Sequence, residues 1–243
     1  MATVRDFFEY INEFAPIETQ EEWDNSGMLV GDMNADVKKV VVVLDIDEKS
    51  VEKAKELGAN LIISHHPVIF SAMKKFTKGC VPFELAANSI NAICCHTPLD
   101  IADGGTNDTL AELLGLNAYK GENPILRFAD TDTDAETLAA LLSEKLGTTV
   151  RFSDAGKRIS KIAICTGGGA SLMWEAGKID AFITGDAKHN DFLDALSAGI
   201  SLFAAGHYET EFPVVPVLRD KLQEKFPETE IIDIKQENPV KFR

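Results

Sequence analysis

Two adjacent histidines, His65 and His66, close the run Leu61-Ile62-Ile63-Ser64 and stand directly before Pro67. Four residues suited to a buried strand, followed by a residue that cannot donate to a sheet ladder, place both imidazoles at a strand tip. In open α/β sheets ligands gather at the carboxyl ends of strands. The other three histidines, His96, His189 and His207, also fall at or just beyond the end of an apolar run. Neutral imidazole and carboxylate are donors for first-row divalent ions, and a mixed nitrogen and oxygen set suits zinc, manganese, iron or nickel better than magnesium or calcium. The strand tips offer His65, His66, Asp100, His207 and Glu211 as such donors. Neighbouring histidines on a strand point to opposite faces, so both reach one site only where the chain turns, as Pro67 encourages. Even so, two ions are easier to serve than one. A pair of ions sharing a carboxylate and a solvent oxygen stands roughly 3.5–4 Å apart, lowers the pKa of bound solvent and stabilises a developing oxyanion, which is the chemistry of two-metal hydrolysis. His207 and Glu211 have the i, i+4 spacing of one helical face, although Pro213 and Pro216 follow so closely that the pattern does not demand a helix. A lone histidine at a strand end is most often a structural hydrogen-bonder; the clustering carries the metal reading.

The elements that must hold these residues follow from the rest of the chain. With 243 residues, 45% of them hydrophobic, the chain can form one large or two small domains, each with its own core. No apolar run approaches the roughly 20 residues of a membrane helix, and Met1-Ala2-Thr3-Val4-Arg5-Asp6 lacks a signal-peptide apolar region. The four cysteines form no CxxC and read as small core residues in a reducing compartment, so a cytoplasmic protein without membrane contact is expected. A net charge of −15 repels nucleic acid and anionic membranes at long range, so binding to nucleic acid is disfavoured.

Thr3 is placed to cap a helix with Phe7, Phe8, Ile11 and Phe14 on one stripe, stopped before Pro16. Trp23-Asp24-Asn25-Ser26-Gly27 is either an Asx-type turn or part of a site rim, and leads into a short strand. Strands are predicted at Val40–Leu44, Leu61–Ser64 and Asn91–Cys95, with helices from Asp47 to Leu57, Pro82 to Ser89 and about Asn107 to Leu114. A polar segment from Asn117 to Asp134 marks a boundary, giving units 1–124 and 125–243. Asp134 then caps a helix with Leu138, Leu141, Leu142 and Leu146 inward, closed by Gly147. Strands at Ile162–Cys165 and Ala181–Thr184 and a third apolar run, Leu202 to His207, repeat the first half in outline: aligning Val42 with Ile164 brings Ile63 onto Ile183 within the slack between spacings of 21 and 19. The expected fold is α/β: two related three-layer units, an internal duplication with mostly parallel sheets, and the metal site in the cleft between them, to which the His207 and Glu211 segment returns.

Other residues admit more than one reading. His96 could orient a ligand, supply a third metal position or act as a catalytic general acid, a place behind the ligands being favoured. His189 could reach the site or simply cap a helix. Gly167-Gly168-Gly169 could cradle a phosphate, but it lacks a P-loop lysine and reads better as a tight turn. Asp45 could stand behind the histidines, while Asp47 is the simpler helix cap.

Together, Trp23-Asp24-Asn25-Ser26-Gly27, Ser64-His65-His66-Pro67, His96-Thr97-Pro98-Leu99-Asp100 with Gly104-Gly105-Thr106-Asn107, Thr184-Gly185-Asp186 and Gly206-His207-Tyr208-Glu209-Thr210-Glu211 resemble the Nif-three-like, YbgI-like dinuclear-metal-centre proteins, often called GTP cyclohydrolase I type 2 homologues. The resemblance runs through nearly the whole chain. It implies a duplicated α/β fold, a homohexameric ring, and two divalent ions per chain held by His65, His66, Asp100, His207 and Glu211. The family usually has Asn where this chain has Pro98. The expectation is a metal-dependent hydrolase, with zinc among the candidate ions, acting on a nucleotide-like or other anionic small molecule; the cyclohydrolase activity itself is implied by the family name alone. The alternative is a non-enzymatic metal-binding ring scaffold or metallochaperone.

Overall fold

Thr3 and Asp6 cap one another reciprocally, the Thr3 hydroxyl accepting from the Asp6 amide and the Asp6 carboxylate from the Thr3 amide, and so start α1 (Val4–Phe14), which buries Val4, Phe7 and Ile11. These features come from a computed structural model of the chain, which describes residues 1–241. There follow β1 (Gly27–Val30), β2 (Lys39–Val43), α2 (Glu48–Leu57), β3 (Leu61–Ser64), α3 (Val81–Ala87), β4 (Asn91–Cys94) and α4 (Thr97–Ile101). The chain continues through α5 (Thr106–Leu113), β5 (Tyr119–Lys120), β6 (Arg127–Thr133), α6 (Ala135–Leu146), β7 (Arg151–Ser153), β8 (Ile159–Ile164) and β9 (Ala181–Thr184). It ends with α7 (His189–Ser197), β10 (Ser201–Ala204), α8 (His207–Glu211), α9 (Val214–Lys225) and β11 (Glu230–Asp233).

The chain divides into two compact units, Met1–Ala102 with Val215–Glu237, and Asp103–Val214 with the residues from Asn238. In this division residues 103–124 go with the second sheet, where β5 pairs with β6, and 215–237 go with the first, where β11 pairs with β2.

The first unit holds a five-stranded sheet in the order β1-β4-β3-β2-β11, parallel throughout except for β1 against β4. All four valines of β2, Val40 to Val43, are fully buried. Val41 and Val43 share a core with Val51 and Ala54 of α2 and Leu85 of α3, while Val40 and Val42 alternate to the other face, so the sheet is covered on both sides. A register slip of one residue would exchange these two sets, each side chain being worth roughly 1.5–3 kcal/mol when buried. Asp47 caps α2 through the Ser50 amide, which fixes where the chain leaves the sheet after β2.

The second unit holds a six-stranded sheet in the order β5-β6-β8-β9-β10-β7. Only the β8–β9 and β9–β10 pairings are parallel, so this sheet is mixed rather than mostly parallel. The difference arises at the edges: β6 and β7 are partly polar strands outside the apolar runs, and each adds antiparallel to the parallel centre. Leu138 and Leu142 of α6 and Leu110 of α5 pack on Ile162, Ile164, Ile183 and Phe203, with Leu141 and Leu146 partly buried beside them. Arg127 is almost wholly buried at the start of β6; its guanidinium is paired with Asp108 and donates to the Pro124 carbonyl. Among the described residues no helix is long and apolar enough to cross a membrane.

Candidate metal centre

The backbone ladder between β2 and β3 runs on past both strands: the His65 amide donates to the Val43 carbonyl and the His66 amide to Leu44. This extension holds the two histidines abreast of the end of β2 before Pro67 turns the chain away. The rings are 5.0 Å apart at their centroids, and His96, just past β4, lies 5.2 Å from His65 and 5.6 Å from His66. One ring nitrogen from each of His65, His66 and His96 lies within 4.8 Å of the other two. Asp100, on α4, brings Oδ1 to 3.7 Å from His65 Nε2. Two donors on one tetrahedral ion with bonds of about 2.0–2.1 Å stand roughly 3.3 Å apart, so these spacings are of the right order. Pro98 occupies the first turn of α4, a position where its missing amide costs nothing.

Each of these imidazoles is held from behind at Nδ1. His65 Nδ1 is 3.1 Å from the Cys95 carbonyl, His66 Nδ1 is 2.7 Å from Asp45 Oδ1, and His96 Nδ1 is 2.8 Å from Asp24 Oδ1. Carbonyl and ionised carboxylate oxygens only accept, so the Nδ1 proton donates in every case and the lone pair sits on Nε2. Metal-binding histidines are typically held in this way.

Asp24 does more than turn its own loop. Its side chain is fully buried and accepts from the Asn25 amide, the Ser26 hydroxyl, His96 and both the amide and hydroxyl of Thr97. Burial opposes its ionisation, but the hydrogen bonds from His96 and Thr97 outweigh that and hold the carboxyl well below the usual carboxylate range. Trp23, 57% exposed, sets its ring 5.7 Å from that of His96 and 6.0 Å from that of Phe70. The Trp23–Gly27 stretch is thus a rim beside His96 rather than an Asx-type turn, since the Ser26 amide donates to Gln20 Oε1 and leaves the Asp24 carboxylate to His96 and Thr97. Beneath the histidines, burial pushes the Cys94 and Cys95 thiols well up, which makes them poor ligands and nucleophiles; the Cys94 thiol donates to the His65 carbonyl.

In the second unit His207 and Glu211 lie on α8, a five-residue helix despite the nearby prolines. His207 Nε2 is 3.1 Å from Glu211 Oε2, and His207 Nδ1 is 2.7 Å from Asp186 Oδ2. Thr210 ties this helix to the glycine turn: its hydroxyl accepts from the Gly167 amide and donates to the Gly206 carbonyl. Gly167 O in turn accepts from the Gly185 and Asp186 amides. The triple glycine is therefore a tight turn against α8, continuing into a 3-10 helix over Gly169–Glu175. His189 opens α7 and is exposed, a helix-end residue.

Imidazole and carboxylate donors thus gather in each unit, and the set fits zinc, manganese, iron or nickel in character. Asp24, Asp45 and Asp186 behind the histidines had weak signals in the sequence. Asp45 stands next to a better helix cap, Asp186 follows a glycine at a strand end, and Asp24 lies 72 residues from the ring that it holds.

The same chain matches known proteins over nearly its whole length. A Campylobacter jejuni protein named GTP cyclohydrolase 1 type 2 homolog is 36% identical over 214 residues, covering 85% of this chain and 86% of that protein. A Clostridium perfringens protein of the same name is 32% identical over 240 residues, covering 91% and 92%. Among solved structures, Staphylococcus aureus protein SA1388 superposes with a TM-score of 0.91 at 27% identity, covering 100% of this chain and 99% of that one. The sequence profile of Duf34/NIF3 (NGG1p interacting factor 3) matches residues 2–239, and the chain belongs to that family.

Proposed function

We propose that the protein holds two divalent ions per chain through His65, His66, Asp100, His207 and Glu211, and that it is a hydrolase of a nucleotide-like or other anionic small molecule. The observation that carries this reading is the convergence of His65, His66 and His96 within 4.8 Å, each with Nδ1 engaged by an oxygen acceptor. A purely structural histidine cluster would not need all three lone pairs presented from Nε2. When bound, the ions would supply Lewis acidity and a lowered pKa for solvent. The chain's own residues do the rest: Asp24 and Asp45 orient imidazoles, Trp23 and Phe70 shield one side of His96, and His96, its Nδ1–H held by the ionised Asp24, takes a proton from the attacking solvent on Nε2 and then returns it to the leaving group as general acid.

The relatives' name supports a purine nucleotide such as GTP as the first substrate to try. The family resemblance supports a homohexameric ring in the cytoplasm and an origin of the two units by duplication; light scattering after size exclusion tests the ring. The decisive experiment loads the purified protein with zinc or manganese, counts ions per chain by elemental analysis, and screens GTP, other nucleotides and phosphodiesters for turnover. The expected result is two ions per chain and a turnover that His66→Ala abolishes while circular dichroism stays unchanged. Ions without turnover on any substrate class would favour a metal-binding scaffold or metallochaperone instead.

A further inference from the structure

The carboxylates behind His66 and His207 are delivered by the same construction. In the first unit Asp45 lies two residues past β2 and three before α2, and His66 lies two residues past β3, which pairs with β2 in parallel. In the second unit Asp186 lies two residues past β9 and three before α7, and His207 lies three residues past β10, which pairs with β9 in parallel. Both aspartate–histidine separations are 21 residues, and both Nδ1 to carboxylate distances are 2.7 Å. The cause is visible in the backbone. The ladder continues beyond the strands through His66 N to Leu44 O in one unit and through Gly206 N to Gly185 O in the other, which keeps the residues that follow side by side.

The match is confined to one histidine in each unit. His65 donates to a carbonyl, and His96 to a buried aspartate from a distant loop. Among the described residues, neither Asp45 nor Asp186 has a lysine or arginine within ion-pair distance; each meets an imidazole. Both carboxylates are also well exposed, 50% for Asp45 and 62% for Asp186. Exposed pairs contribute little to folding, so the consequence of each contact lies in the ring that it holds.

The geometry points to Asp45 and Asp186 as a matched pair of positioning residues, one per unit, which fix the tautomer and orientation of His66 and His207 so that Nε2 is presented to a divalent ion. This rests on the metal reading above. A carboxylate on Nδ1–H also raises the basicity of the coordinating nitrogen, and losing such a partner typically costs 10- to 100-fold in metal affinity.

The test uses the full chain stripped with a chelator. Zn²⁺ affinity is read in competition with a chromophoric chelator, and the visible bands of bound Co²⁺ report ligand geometry. Asp45→Ala and Asp186→Ala are each expected to weaken Zn²⁺ binding about 10- to 100-fold and to shift the Co²⁺ bands. Asp45→Asn and Asp186→Asn, which return an acceptor to Nδ1–H, recover part of the affinity. Asp194→Ala, which removes an exposed carboxylate of α7, stays at the wild-type value. Circular dichroism confirms that every variant keeps its fold. Affinity and bands unchanged in both alanine variants would overturn the proposal, and a loss at only one position would overturn the pairing. A wild-type chain that takes up neither Zn²⁺ nor Co²⁺ would remove the metal reading, and this inference with it, an outcome distinct from the other two.

Discussion

Gly167 and Glu211 are packed so closely that the space left by the absent side chain is the space the carboxylate occupies: a Cβ on Gly167 would overlap Glu211 Oε1 and stand 3.2 Å from His207 Nε2. Gly167 also has φ +58°, in the left-handed region that costs an L side chain about 1–2 kcal/mol. Gly167→Ala is therefore expected to lower stability by about that amount and to displace Glu211, weakening metal uptake. Its neighbour gives the control. Gly168 has φ −85° and open space where a Cβ would go, so Gly168→Ala should leave both unchanged or add a few tenths of a kcal/mol. Denaturant unfolding and metal titration of the two variants check this. Equal behaviour would mean that the turn imposes nothing on the carboxylate.

Asp24 provides a prediction with a pH dependence. Its folded-state pKa is depressed, so the stabilisation is fully present above the unfolded carboxylate value of about 4 and is lost as pH falls through the much lower folded value. Asp24→Asn keeps the shape but removes the charge from hydrogen bonds to His96 and Thr97. The variant should lose about 1.5–3 kcal/mol at neutral pH, the worth of hydrogen bonds to a charged group. Because the wild type gives up its advantage in acid, the gap between the two should stay constant from pH 7 to about 5 and narrow below about 4. Urea midpoints across that range test it; a gap that widens in acid would mean that the Asp24 carboxyl is not held ionised by its partners.

What could be read from the sequence was what local pattern controls. β3, β9 and β10 are built on short apolar runs ending in glycine, proline or histidine neighbourhoods, and the caps Thr3, Asp47 and Asp134 stand where a short polar side chain precedes an amphipathic run. The candidate ligands were legible because they sit at those ends. β6 was not. Arg127-Phe128-Ala129-Asp130-Thr131-Asp132-Thr133 is buried only over its first three residues and owes its strand to antiparallel pairing with β8. β11 likewise has an exposed first residue and rests on parallel pairing with β2. For the residues behind the histidines, Asp45 and Asp186 left one trace, a shared distance of 21 residues to the ring, whereas Asp24 reaches His96 through tertiary folding alone.

Metal removal should be visible in melting. Ions that bind the folded chain and not the unfolded one stabilise it by RT ln(1 + [L]/Kd), about 2.7 kcal/mol when free metal is 100 times Kd. For a chain of this size that corresponds to a shift of about 5–10 °C, so protein melted with excess EDTA should unfold lower by that amount than protein melted with zinc or manganese. His66→Ala removes one donor from the three-imidazole group of the first unit, and Glu211→Gln removes the charge beside His207 in the second. Each variant should shrink the metal-dependent shift while leaving the EDTA-treated melting temperature near that of the wild type for His66→Ala, since His66 is partly exposed. Scanning calorimetry at fixed protein concentration measures the melting temperature of each protein with EDTA and with metal. A wild-type melting temperature insensitive to EDTA, zinc and manganese would count against resident ions at these residues.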